Sequence, residues 1–464
     1  MEDGDSTFCA RSNDRNIVPG ARRAASVVTT LLFGALLSST VRANPEPTAY
    51  DARSASLGQT GASYLDRPAA LAINPALLAE LGKFDASVGL AALWISTKSP
   101  LQGPNSSVKD SQFAPLGALF LAGRIAPRVV FGGGFYIETV AAASYARVTF
   151  LDGEPSNAAP QDLDASLVVA EAAWGIGIRL DKAKKWNLGL ALRLPFARVN
   201  LDIYHNLAPV FNPPGSDAIA YTRLDAALGG VGFPSPRIGL SYRPVKKVWL
   251  GASYRMYSKI HLTGSGNLEL AGRPISPDVV AEWVVPHAIQ LGLAYWPTDH
   301  LLLAFEFRAQ FHGAQRHGNE ELRIELDPVG TIVVPLGWRN ALSGRLGVEY
   351  KLNNLIDLRS GLNMGRSATP DQWALYLAPP PGLEVRIGGG LGFHWKRVDF
   401  DIGAVFGFAN RNLSGQDGQP ATVPGSNPAE VVRLCSRDQI VRAGCSGDYQ
   451  LLSLAGFVQV RYRK

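Results

Sequence analysis

From residue 84 onward the chain repeats one pattern: segments of about 10–13 residues in which every second position is apolar and the intervening ones are glycine, alanine or charged. Fourteen such segments can be read: Phe84–Ile95, Phe113–Arg124, Val129–Thr139, Ala165–Leu180, Trp186–Phe196, Ser235–Tyr242, Val248–Tyr257, Val284–Tyr295, Leu301–Phe311, Ala341–Tyr350, Leu355–Met364, Glu384–Trp395, Val398–Phe408 and Leu451–Tyr462. Each is long enough to cross a hydrocarbon layer as a tilted strand. The even count suits a barrel whose ends lie on one side of a membrane. Amides facing hydrocarbon must all be paired, so such a sheet has to close on itself. The connections alternate in size. Short ones fall at Ile125–Arg128, Asp181–Lys185, Arg243–Lys247, Pro297–His300, Lys351–Asn354 and Lys396–Arg397, and long ones at 96–112, 140–164, 197–234, 258–283, 312–340, 365–383 and 409–450. The predicted fold is therefore all-β: a 14-stranded antiparallel transmembrane β-barrel with short periplasmic turns and long extracellular loops.

Aromatic residues recur near strand ends, among them Trp94, Trp186, Tyr242, Trp249, Tyr295, Tyr350, Trp395 and Tyr462, where rings can rest at the two headgroup levels. Composition agrees with a lipid-facing wall, since 46% of residues are hydrophobic and only 18% are charged. The formal charge of +6 comes from arginines scattered at strand ends and turns, with no basic patch for nucleic acid. No linker divides the 464 residues, so a single barrel over 84–464 is expected.

The chain's beginning reads as an export signal over residues 1–43. Arg22 and Arg23 precede the apolar stretch Val27–Leu37, and small residues around Val41 and Ala43 offer a cleavage site before Asn44. The preceding polar residues make an unusually long n-region, which fits a translation start nearer Val18. As a membrane anchor the apolar stretch is too short to span ~30 Å as a helix. In an exported protein Cys435 and Cys445, ten residues apart, can form a disulfide; free thiols are the alternative, and no nearby histidine suggests a metal site.

Residues 44–83 cannot form a barrel strand. They hold two expected short helical turns, around Arg67–Ile73 and Pro75–Leu81, the second with Asn74 as cap and Pro75 in first position. A fourteen-strand wall leaves a lumen that side chains alone do not fill. The segment's alanines and leucines fit a folded hatch in that lumen, and a periplasmic tail is the other reading. Arg345, Arg359 and Arg386 lie on late strands, where they can meet a carboxylate ligand or make structural ion pairs with Asp66 or Glu80. The seven histidines form no H-E-x-x-H motif and no G-x-S-x-G elbow occurs, so neither an enzyme nor a cofactor is expected.

The stretch DRPAALAINPALL resembles the hatch motif of the outer-membrane long-chain fatty acid and hydrocarbon transporters, with Asp66, Ala69 or Ala70, Asn74, Pro75, Ala76 and Leu78 in place. Leu77 stands where members of that family often have glycine, which would make the turn stiffer or bulkier. Pro234–Gly266 and Pro335–Asp371 resemble two later signatures of the same family, so the resemblance covers nearly all of the chain that follows the signal. It implies passive, hatch-gated carriage of long-chain fatty acids or similar apolar molecules. It also implies lateral release beside a kink in the third strand, where Gly132, Gly133 and Gly134 allow a bend or bulge, or close packing of the hatch. The partners expected are outer-membrane lipid and lipopolysaccharide, an apolar ligand and the barrel-assembly machinery, with the protein acting as a monomer. A general diffusion porin and a secretion or assembly platform stay open as alternatives.

Overall fold

The computed structural model describes residues 50–101, 108–148, 161–206, 221–270, 273–314, 319–424, 431–436, 439 and 442–464. The signal expected at 1–43 lies outside them. Strands β1 (Phe84–Ser99), β2 (Val108–Ala126), β3 (Val129–Val148), β4 (Gln161–Arg179) and β5 (Trp186–Asn206) each cross the wall in one piece. The next positions in the wall are built from two pieces. β6 (Tyr221–Gly232) and β7 (Ser235–Val245) both pair with β5, one beyond the other, and β8 (Val248–Arg255) with β9 (Ser258–Leu270) stands beside them. The short β10 (Arg273–Ile275) folds back on β9, and β11 (Asp278–Val285) with β12 (His287–Thr298) forms the third such position. β13 (Leu301–Phe311) continues into β14 (Glu321–Asp327), which returns through β15 (Gly330–Pro335) into β16 (Ala341–Lys351). β17 (Ile356–Arg366), β18 (Leu383–Trp395) and β19 (Val398–Leu413) again cross singly. The hairpin of β20 (Pro420–Thr422) and β21 (Val431–Arg433) stands apart, and β22 (Gly447–Arg463) closes the ring between β19 and β1.

The wall thus has the expected fourteen positions, all antiparallel, and the six short turns read from the sequence fall at one end. Three of the stretches read as loops, 197–234, 258–283 and 312–340, instead extend the wall as β6, β9, β11, β14 and β15. Proline explains why they look separate in sequence. Pro234 and Pro286 stand at the junctions β6/β7 and β11/β12, where a residue without an amide hydrogen interrupts the ladder and the apolar repeat loses phase.

Alternation sets the two faces. Along β16 the exposed Leu342, Leu346 and Val348 look outward, while Ser343, Arg345 and Glu349 between them are buried. This is the inverse of a soluble sheet and places apolar side chains in lipid. At the short-turn rim Trp186 stacks on Tyr242 with centroids 3.9 Å apart, and Trp395, Tyr350 and Tyr295 are exposed. There the Asp181 carboxylate accepts the backbone N–H of Trp186 and Lys185, which holds its pKa below the ordinary carboxylate value.

Candidate functional site: hatch, chamber and split wall

Residues 50–83 pack inside the ring. They form α1 (Ala52–Ser56), α2 (Ala70–Ile73) and a 3-10 helix, Pro75–Glu80. The first was absent from the sequence reading; its signal was Asp51, whose carboxylate caps Ser54 N at 3.0 Å. Asn74 caps the 3-10 helix by accepting Ala76 N at 3.1 Å, and its amide donates to the carbonyls of Ala62 at 2.7 Å and of Leu240 in the wall at 3.1 Å. The backbone of Asn74–Ala76 comes this close because Gly189 and Gly239 lack side chains: a Cβ on either would overlap it. Leu77, expected to stiffen the turn, is fully buried in the hatch core with Leu71 and Leu78.

Ion pairs fasten the hatch to the wall. Arg53 binds Glu349 through two N–H groups at 2.7 and 2.6 Å and holds Asp66 at 2.8 Å. Arg67 pairs with Asp401, and Arg461 donates to the Asp66 carbonyl at 2.6 Å. The partners expected for the late-strand arginines are therefore corrected. Asp66 answers Arg53, and Glu80 answers Arg243 at 2.7 Å, so neither meets Arg345, Arg359 or Arg386. Arg359 instead bonds Glu349 at 2.7 Å and pairs with Asp401. Arg345 lies 3.2 Å from Glu306 and donates to the Gln59 carbonyl at 2.9 Å, while Glu306 accepts the N–H groups of Gly61 and Ala62 at 2.9 Å each. Arg386 pairs with Glu384 at 2.7 Å. The hatch turns sit on wall charges that are satisfied by the hatch and by one another, which is what burying them requires.

Toward the long-loop end lies an open chamber of about 890 Å³. Leu167, Leu201, Ile203, Leu228 and Leu262 line one side of it, and Trp283, Ile324, Val334, Leu336 and Trp338 the other. Leu375, Leu377 and Pro379 cover it, and among the described residues none of its lining is charged. Trp283 and Trp338 meet edge to face with centroids 5.5 Å apart. The sequence reading missed this chamber because its walls fall in segments taken as loops. The signal was present in ELRIELDPVGTIVVPLGW (321–338), an alternating pattern around a turn. The covering segment is held by Tyr145, whose hydroxyl donates to the Tyr376 carbonyl at 3.0 Å, and by Gly444 N, which donates to the Ala374 carbonyl at 2.8 Å. Gly444 belongs to the small loop closed by the Cys435–Cys445 disulfide.

Among the described residues the wall is split between β2 and β3. β2 and β3 pair only from Ala118↔Tyr136 down to the short turn; above this, β2 pairs with β1 alone and β3 with β4 alone. The bulge in β3 falls between Ile137 and Thr139, leaving Glu138 as the extra residue. This corrects the sequence expectation, because Gly132, Gly133 and Gly134 keep regular partners on both sides. A bulge shifts the inward-facing register by one, which turns β3 away from β2. Glu138 is fully buried and binds Tyr50 and Arg255. Of the three glycines, Gly132 faces Leu78 of the hatch, with 3.3 Å to an added Cβ, whereas Gly133 has nothing nearer than 3.8 Å. At the foot of the split a narrow recess is bounded by hatch Tyr50 and Ala52, by Leu116, Ala118 and Ile137, and by the lipid-side Leu90 and Val458.

Residues 53–410 match the family described as outer membrane protein transport protein (OMPP1/FadL/TodX). The chain belongs to this family. Among solved structures, a Pseudomonas aeruginosa FadL homologue is similar with TM-score 0.72 and 14% identity, over 91% of this chain and 100% of the other. The Pseudomonas putida toluene transporter TodX gives TM-score 0.67 and 17% identity over 92% and 100%, and the Ralstonia pickettii toluene transporter TbuX gives 0.65 and 16% over 92% and 99%. At such identity these likenesses establish the fold. No curated protein sequence matches the chain. The FadL/TodX family consists of outer-membrane transport channels for hydrophobic compounds, so the barrel sits in the outer membrane.

Proposed function

We propose that the protein carries apolar molecules, long-chain fatty acids or similar compounds, passively inward, and releases them sideways through the split between β2 and β3. The observation that carries this reading is an uncharged chamber of about 890 Å³ above a lumen filled by the hatch. Each methylene moved from water into such a chamber contributes about 0.8 kcal/mol, enough to extract a chain of a dozen carbons without ATP. A ligand leaving the chamber meets the hatch below and, at the side, the place where the β2–β3 ladder stops at Ala118↔Tyr136. The recess by Tyr50 and Ile137, bounded by lumen and lipid-side residues together, offers the lateral way out. Cells with an outer membrane that express the full chain should take up radiolabelled hexadecane or hexadecanoate faster than cells without it. Uptake of both compounds no faster with the chain than without it would refute the reading.

A further inference from the structure

The six short turns hold ten lysines and arginines and two aspartates. Of the aspartates, Asp181 accepts backbone N–H groups with its carboxylate, and Asp299 shares the β12/β13 turn with His300. The other five turns carry the basic residues. Arg128 stands exposed between β2 and β3, Lys182, Lys184 and Lys185 between β4 and β5, and Lys246 with Lys247 between β7 and β8. Farther round the ring come Lys351, then Lys396 with Arg397, and the exposed chain end at Arg463 and Lys464.

Charges at the long-loop end are arranged differently. There Arg223 pairs with Asp202, Arg323 with Glu321 and Arg411 with Asp371, so these guanidinium groups are neutralised within the protein. Among the described residues no lysine of the short turns has a carboxylate partner. Lys247 donates to the Pro297 carbonyl at 2.8 Å, and Lys396 lies over the Trp395 ring at 5.5 Å. Uncompensated charges of one sign repel each other and attract anions from outside the chain.

Two features choose the kind of anion. The charges surround the barrel, which suits an annulus of small head groups better than one docked protein. They also lie at a fixed depth: Lys185 adjoins the exposed Trp186, Lys351 adjoins Tyr350, Lys396 adjoins Trp395 and Arg463 adjoins Tyr462. Such aromatics mark the headgroup level, and one residue of strand advances about 3.3 Å. The basic groups therefore stand among lipid phosphates. We propose that the short-turn rim is a binding ring for the phosphodiester head groups of anionic phospholipid in the periplasmic leaflet, the one that short turns face. The attraction adds up over the lysines and arginines of the rim and is screened by salt.

The test places the full chain in phosphatidylcholine vesicles with a trace of spin-labelled phosphatidylglycerol or spin-labelled phosphatidylcholine. Electron paramagnetic resonance then measures how much of each label is immobilised at the protein. Phosphatidylglycerol should associate about fivefold more strongly than phosphatidylcholine, and the difference should shrink below about twofold in about 1 M sodium chloride. Lys182→Gln, Lys184→Gln, Lys185→Gln, Lys246→Gln and Lys247→Gln combined should lower the preference about twofold or more. Arg323→Gln with Arg411→Gln, at the long-loop end, should leave it unchanged. Equal association of the two labels with the unaltered chain, or a preference that survives the lysine substitutions, would overturn the proposal. Binding of soluble polyglutamate to the turns with no preference for phosphatidylglycerol would also overturn it and make the rim a docking surface for an acidic protein.

Discussion

Asn74 of the hatch rests against Gly239 of β7 so closely that a methyl group on Gly239 would overlap the Asn74 side-chain oxygen. The same carboxamide caps the 3-10 helix and donates to the wall at Leu240, so one side chain both shapes the hatch turn and seats it. Gly239→Ala should therefore unseat the hatch at a cost of about 1–3 kcal/mol, the usual range for overpacking. Planar-bilayer recordings should show long ion-conducting openings in the variant and brief or no openings in the unaltered chain. Equal, silent traces would mean that the contact is not what seats the hatch.

Asp401 faces two arginines, Arg67 from the hatch and Arg359 from the wall. Removing its charge leaves both guanidinium groups in a dry interior with less than their complement. Asp401→Asn should lower unfolding stability by about 3–5 kcal/mol, the typical effect of breaking a buried pair. Urea titration of the purified barrel in detergent, followed by tryptophan fluorescence, measures it.

Deleting Glu138 would remove the extra residue of this β3 bulge and restore one register from Val129 to Tyr145. Pairing between β2 and β3 could then continue above Ala118↔Tyr136 and close the split. Uptake of hexadecane should fall at least fivefold or so, roughly 1 kcal/mol on the rate, while probe binding in the chamber persists. Gly133→Val, by contrast, places a side chain where the nearest atom is 3.8 Å from an added Cβ, and should leave uptake nearly unchanged.

Trp338 lines the chamber and packs on Trp283. Trp338→Ala should weaken binding of an apolar probe about tenfold, or ~1.4 kcal/mol, with the barrel still resisting unfolding by sodium dodecyl sulfate on a gel. Undiminished binding in that variant would place the ligand elsewhere.

The strands that face lipid were legible in the sequence because the bilayer imposes a strict two-residue period, as along LGLALRLPF of β5. The short turns were legible for the same reason: they interrupt that period briefly and always at one end. Above the bilayer the constraint disappears, so β6, β9, β11, β14 and β15 passed as loops although they continue the wall. The site was less legible than the fold. Asn74 and Pro75 announce the hatch turn through local capping chemistry, whereas Arg359 pairs with Asp401, 42 residues away and two strands over, and with Glu349, 10 residues away on the adjacent strand. The bulge gave a misleading signal: glycine is the expected residue for a bend, and here Glu138 takes that place with Arg255 and Tyr50 as partners.

The chamber is where the account is most exposed. Crystals of the full chain grown with 1-bromododecane and measured at the bromine absorption edge would locate the ligand directly. The account predicts anomalous density between Trp283 and Trp338, above an ordered hatch. Density confined to the outer lipid-facing surface, or an open lumen with residues 50–83 outside the ring, would contradict it.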